Sequence, residues 1–156
     1  MLPEPITTAL TIIKLIDTGC RVAKLLYSFI ASVVEAPNEI RSLVSSLYLL
    51  NTSLCQIQAL LLDPSFGSVH GNEAIAGLEE VLANCVRVYS HLQPQVDNAQ
   101  KVLDGDSRVK RLWVDVKWVF EDGAIESLLA SLEREKATLM LIINTMSLYC
   151  VPKMII

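Results

Sequence analysis

The sequence predicts an all-α fold, an up-and-down bundle of four to five helices. Three observations carry this expectation. Leucine is the commonest residue, at 24 of 156, against nine Phe, Tyr and Trp together. Glycine and proline, the residues that interrupt helices, occur only six times each, which is below ordinary usage. Apolar residues also recur every three or four positions over long windows, which is the period of a helix face and not the alternation of a strand. With 52% hydrophobic and 19% charged residues, the chain is too apolar for disorder and long enough to bury a core.

The first helix is expected over residues 6–35. Its polar residues, Thr7, Thr11, Lys14, Thr18, Arg21, Lys24, Ser28, Ser32 and Glu35, step by three and four along one narrow stripe. Almost everything else is apolar: Leu10, Ile13, Ile16, Val22, Leu26, Phe29, Ile30 and Val33. So wide an apolar face calls for burial among several neighbours or for a second environment such as lipid. Gly19 reads as a weak point or a close-packing site.

Ala36-Pro37-Asn38-Glu39 ends that helix and begins the second, expected over 37–62, because proline is tolerated only at a helix start and Glu39 suits a first turn. Its stripe runs Ile40, Leu43, Val44, Leu47, Leu50, Leu54, Ile57, Leu61. Residues Ser65 to Asn72, with Gly67 and Gly71, read as an exposed loop. Asn72 is then the expected N-cap of a third helix over 73–103, kinked or split near Pro94. After Asp104-Gly105-Asp106, a shorter fourth helix over 107–120 carries Val109, Leu112, Trp113, Val116 and Phe120. Glu121-Asp122-Gly123 breaks again, with Asp122 the expected cap of a last helix over 124–149. The chain reads as one domain, residues 1–150, with 151–156 the start of a linker in a longer protein.

Charge and cysteines narrow the function classes. The 13 Lys and Arg against 17 Asp and Glu give a net charge of −4, a poor match to nucleic acid, which needs a concentrated basic face. Cys20, Cys55, Cys85 and Cys150 are at least 30 residues apart. No zinc site is expected from that spacing, and reduced, buried thiols in a cytoplasmic protein are. Glu4 stands where a secretory signal would carry its basic residues. The two most apolar stretches, Ile6–Val34 and Ala137–Pro152, are respectively interrupted by four charges and only 16 residues long, so neither is expected to span a bilayer unaided. Phosphate-binding glycine motifs and Glu-x-x-His pairs are absent from the sequence. Cys85 and His91, six residues apart, fall on different helix faces. We therefore expect no enzyme, no catalytic residues, no metal and no cofactor.

Two stretches stand out as candidate sites. The first helix is a candidate membrane-insertion element through Leu10, Ile13, Ile16, Val22, Leu26, Phe29, Ile30 and Val33; the plainer reading is a central core helix, and the two are compatible. Lys101 to Lys117 is the richest basic stretch, net +2. Arg108, Lys110, Arg111 and Lys117 form a candidate patch for anionic lipid head groups or an acidic partner, with Trp113 and Trp118 as interfacial aromatics. The plainer reading, which we favour, is a solvated helix face over two core tryptophans.

The stretch Lys117-Trp118-Val119-Phe120, followed by Ile125, Leu128, Leu129, Leu132, Glu133, Lys136, Leu139 and Leu141, resembles the end of the HeLo-like N-terminal domains of fungal STAND proteins. So does Ala36-Pro37-Asn38-Glu39-Ile40-Arg41-Ser42-Leu43, and the apolar start from Ile6 to Tyr27 is similar as well. The resemblance covers roughly residues 5–149. It implies a helical bundle at the head of an NLR-like receptor of fungal innate immunity, followed in the full chain by nucleotide-binding and repeat domains. Related HeLo domains act in heterokaryon incompatibility as cell-death effectors that attack membranes. The resemblance therefore implies self-association, an anionic membrane lipid as a possible partner, and a cytoplasmic protein that relocates to the plasma membrane on activation. It carries no catalytic residue.

Overall fold

The first helix, α1, spans Pro5–Ala31 and stops four residues short of the sequence expectation. Ser32 Oγ donates to the Phe29 carbonyl at 2.8 Å, so a side chain takes the place of the next ladder bond. The β-branched pair Val33–Val34 then runs extended as β1, and Glu35 turns the chain with a left-handed φ of 62°. Val33 therefore lies outside the helix on which the sequence placed it, although it is still buried.

The computed structural model of the chain describes residues 5–62, 68–104, 111–120 and 122–150. Helix α2 spans Asn38–Leu61, with Pro37 extended at its N-cap. Helix α3 spans Ser68–Leu103 and holds Pro94 inside it. One expectation is corrected here: residues 68–72 are helix and not loop, so Asn72 lies inside α3 and not at its start. Of the two readings at Pro94, a split is not what is found, because the helix runs through it. Proline has no N–H to return to the preceding turn. Next door, Gln95 Nε2 donates to the His91 carbonyl at 3.2 Å, while its buried Oε1 has no hydrogen-bond partner.

The fourth helix shrinks most. Arg111–Leu112 is extended as β2 and pairs parallel with β1, Val33 opposite Arg111 and Val34 opposite Leu112. Only Trp113–Val116, α4, is α-helical, followed by a 3₁₀ turn over Lys117–Val119. Residues 107–110 of the expected helix lie outside the described residues. Gly123, at φ 74°, then opens α5, Ala124–Cys150, and its carbonyl accepts from the Ser127 N–H at 3.0 Å.

The four long helices form a ring in the order α1, α2, α5, α3. Helices α2 and α5 run parallel: Ser46 meets Glu133 and Ser53 meets Met140, the same step of seven on each helix. Helices α3 and α5 run antiparallel, Pro94 and Gln95 facing the start of α5 and Asn84 and Arg87 lying near Arg134 and Glu135. The up-and-down, all-α bundle is thus the observed architecture. Its core is aliphatic: Ile12, Leu26, Ile40, Leu43, Leu47, Leu50, Leu54, Ile57, Leu78 and Leu92 are among its fully buried side chains.

Candidate functional site

Helix α1 packs on α2 and α3. Ile12, Leu15, Gly19, Val22, Ala23, Leu26 and Phe29 face them and are buried. Of the predicted polar stripe, Lys14, Arg21, Lys24 and Ser28 are exposed on the opposite side, together with Asp17, while Thr11 and Thr18 are half-buried. Two neighbours cannot enclose a whole helix, so some apolar residues stay outside. Leu10 is 55% exposed, Ile13 47% and Tyr27 64%, while Ile16 and Ile30 are half-buried. The wide apolar face expected of this helix is therefore only partly buried among its neighbours. Of the candidate insertion residues, Val22, Leu26, Phe29 and Val33 are sheltered, and Leu10 and Ile13 are not.

Two devices tie α1 to the bundle. The first is polar. Gly19 is buried against the side-chain amide of Asn51, so close that a Cβ at Gly19 would lie within 2.3 Å of Asn51 Oδ1. Asn51 Nδ2 donates to Cys20 Sγ at 3.6 Å, and the Tyr89 hydroxyl donates to Asn51 Oδ1 at 3.2 Å. One asparagine therefore joins α1, α2 and α3 at mid-bundle, and Gly19 is the close-packing site of the two readings the sequence allowed. The second device is aromatic. Phe29 sits edge-on to Trp113 and Phe120, with ring centroids 6.5 and 6.0 Å away. The end of α1 is thereby gripped by the α4 segment, beside the β1–β2 pairing.

The second candidate site is partly outside the described structure. Arg108 and Lys110 lie outside the described residues, and only the backbone of Arg111 is described. Lys117 is exposed. The expectation of two core tryptophans holds for one: Trp113 is half-buried in the aromatic group, but Trp118 is 58% exposed. Leu112 and Val114 beside it are also exposed, at 50% and 64%.

Across α2 and α5, Ser46 Oγ donates to Glu133 Oε1 at 2.5 Å and Lys136 Nζ approaches Glu133 at 2.8 Å. Lys136 first, and Ser46 second, hold the Glu133 carboxyl below the usual range. Glu135 is buried and faces Arg134 only loosely, at 3.7 Å. The cysteines divide. Cys85 is buried, and burial followed by the Glu135 charge pushes its thiol up to about 12, so it is a poor nucleophile. Cys20 is half-buried, and Cys55 is exposed, contrary to the expectation of buried thiols throughout. Burial likewise raises the Tyr89 phenol. Among the described residues no three His, Cys, Asp or Glu side chains gather as a metal site.

Sequence reading missed Asn51, whose signal was a polar residue between Leu50 and Leu54 in the core stripe of α2, and it missed the α4 edge, because a helix was expected there. What fold and surface define is an all-α bundle with a sheltered N-terminal helix and an apolar edge on the α4 segment. Comparison with protein-family models, with curated proteins and with solved structures finds no match to this chain.

Proposed function

We propose that this chain is a non-enzymatic signalling or effector domain of a fungal NLR-like receptor, of the HeLo-like kind. Clustering brings copies together, α1 leaves its groove on α2 and α3, and the assembled helices disturb an anionic membrane in regulated cell death. The observation that supports this reading is the two-sidedness of α1. Its sheltered side is apolar at Ile12, Leu15, Val22, Ala23, Leu26 and Phe29, worth several kcal/mol at about 25 cal/mol/Å² wherever water is excluded. Its outer side holds Lys14, Asp17, Arg21 and Lys24. Among the described residues no helix is long and apolar enough to cross a membrane, so the reading requires several copies and not one. Nucleotide-binding and repeat domains further along the full chain, and movement from cytoplasm to plasma membrane, belong to the same proposal.

The test is dye release from anionic vesicles by the clustered chain. Leu10→Glu and Ile13→Glu change exposed positions, so the bundle stays folded while release falls. No release from the clustered wild type refutes the reading.

A second reading is favoured by the exposed α4 edge: a helical interaction or dimerisation module without membrane activity. Reversing Lys110 and Arg111 separates the two. Reduced vesicle binding supports the membrane reading; unchanged binding with lost self-association supports the module.

A further inference from the structure

Leu112, Val114 and Trp118 leave half or more of their surface in solvent along one short segment. An apolar group of this kind, centred on a tryptophan, marks a contact surface. The charges around it select the occupant. Lys117 is exposed beside Trp118, and both line a groove of about 310 Å³ together with Asp122 and Glu126, which are exposed too. The groove therefore presents a cation and two carboxylates around an apolar centre, with Asp115 exposed on the same segment outside it. A lipid surface of one sign complements only part of that pattern. A second copy turned about a two-fold axis complements all of it, because each cation then meets the other copy's carboxylates.

We propose that the α4 edge is a homodimer contact, with Trp118 and Val114 at its centre and Lys117 of each copy set against Asp122 and Glu126 of the other. The contact names the face that performs the self-association in the effector reading, and rests on that reading only for its purpose. A patch this small belongs below about 1,200 Å² of buried surface, so the dimer is weak and concentration-dependent.

Sedimentation equilibrium of the whole chain from about 10 μM to about 1 mM covers the range such a contact requires. The wild type forms dimers in that range. Trp118→Ala weakens them by about tenfold or more, as a central aromatic anchor should. Val114→Lys, on the same edge, is the second variant should Trp118→Ala disturb the fold, with helicity checked by circular dichroism. Lys117→Glu and Glu126→Lys are each monomeric alone, because like charges then face each other twice. Mixed in equal amounts they associate, since the mixed pair holds two opposite-charge contacts. A monomeric wild type, an unchanged Trp118→Ala dimer, or a mixture that stays monomeric overturns the proposal. Dye release by a monomeric chain would overturn this contact and spare the effector reading. A dimer with the expected charge swap and no dye release supports the contact and counts against that reading.

Discussion

Replacing Gly19 with alanine separates helix propensity from packing, because the two predict opposite signs. In an open helix interior, Gly→Ala stabilises by about 1 kcal/mol. At Gly19 the new Cβ would stand 2.3 Å from Asn51 Oδ1 and 2.7 Å from Asn51 Nδ2. Asn51 is 5% exposed and has no room to retreat into solvent. Forcing it aside costs about 1–3 kcal/mol in overpacking. Losing the Tyr89 hydroxyl bond to Oδ1 adds about 1–3 kcal/mol for the polar groups left buried. After the propensity gain, Gly19→Ala should destabilise by about 1–5 kcal/mol. A middle value near 3 kcal/mol lowers Tm by roughly 6–12 °C for a domain of this size. Urea denaturation measures the free energy, and amide exchange along α1 shows where it is lost. The control is Gly77, in α3, where a Cβ meets nothing within 4 Å; Gly77→Ala should stabilise by about 0.5–1 kcal/mol. The Asn51→Ala background completes the argument. With the amide gone, Gly19→Ala should cost little or turn stabilising, giving a strong coupling in a double-mutant cycle. A Gly19→Ala chain as stable as the wild type would refute the close-packing account of α1.

Phe29→Ala removes a fully buried ring from the contact with Trp113 and Phe120. It should cost about 3–5 kcal/mol in urea denaturation and speed amide exchange at the end of α1. Glu133 should make the bundle acid-sensitive. Its folded-state titration is depressed, so its contribution is present at neutral pH and lost as pH falls through that depressed value. Because Glu133 is 49% exposed, Glu133→Gln should lower stability at pH 7 by no more than about 1 kcal/mol. The variant and wild type should converge in the same assay once the pH falls below that depressed value. Thiol labelling of the native chain at pH 8, read by peptide mass mapping, should mark Cys55 quickly and Cys85 only on unfolding, since Cys85 is buried and its thiol is raised to about 12.

The parts of the fold that were legible in the sequence are those where periodicity is long. The stripe from Ile40 to Leu61 placed α2 to within a residue, and the stripe from Ile125 to Met146 did the same for α5. Short, tertiary-determined features were not legible. Val109, Leu112, Trp113, Val116 and Phe120 have helical spacing, yet Leu112 is held extended by pairing with Val34. A local pattern cannot announce a partner nearly 80 residues away. The same limit applies to Trp118. Its spacing from Trp113 does not say which of the two meets Phe29, and only the packed aromatic group decides that one is sheltered and the other exposed. On α1 the polar stripe was read correctly, but the extent of burial was not. Hydrophobicity sets the demand for shelter, while the ring order sets the supply, and of the long helices α1 has α2 and α3 beside it.

That ring order also bears on how α1 could act under the proposed reading. The sheltered side of α1 already lies among aliphatic side chains, and lipid tails are no more apolar than a leucine core. Moving that side from bundle to bilayer therefore gains little, and the charged side decides the outcome. Lys14, Asp17, Arg21 and Lys24 are all exposed at rest, and each would cost about 2.5–3.5 kcal/mol at the centre of a bilayer. Entry of a lone helix is then uphill by about 10–14 kcal/mol. Several copies remove most of that cost if their charged stripes face a shared wet lumen, where Asp17 of one helix lies within reach of a neighbour's Lys14 or Arg21. Assembly must then precede release. A contact that holds copies together while α1 is still sheltered, such as the α4 edge beside the Phe29 grip, is the kind of feature that order of events requires.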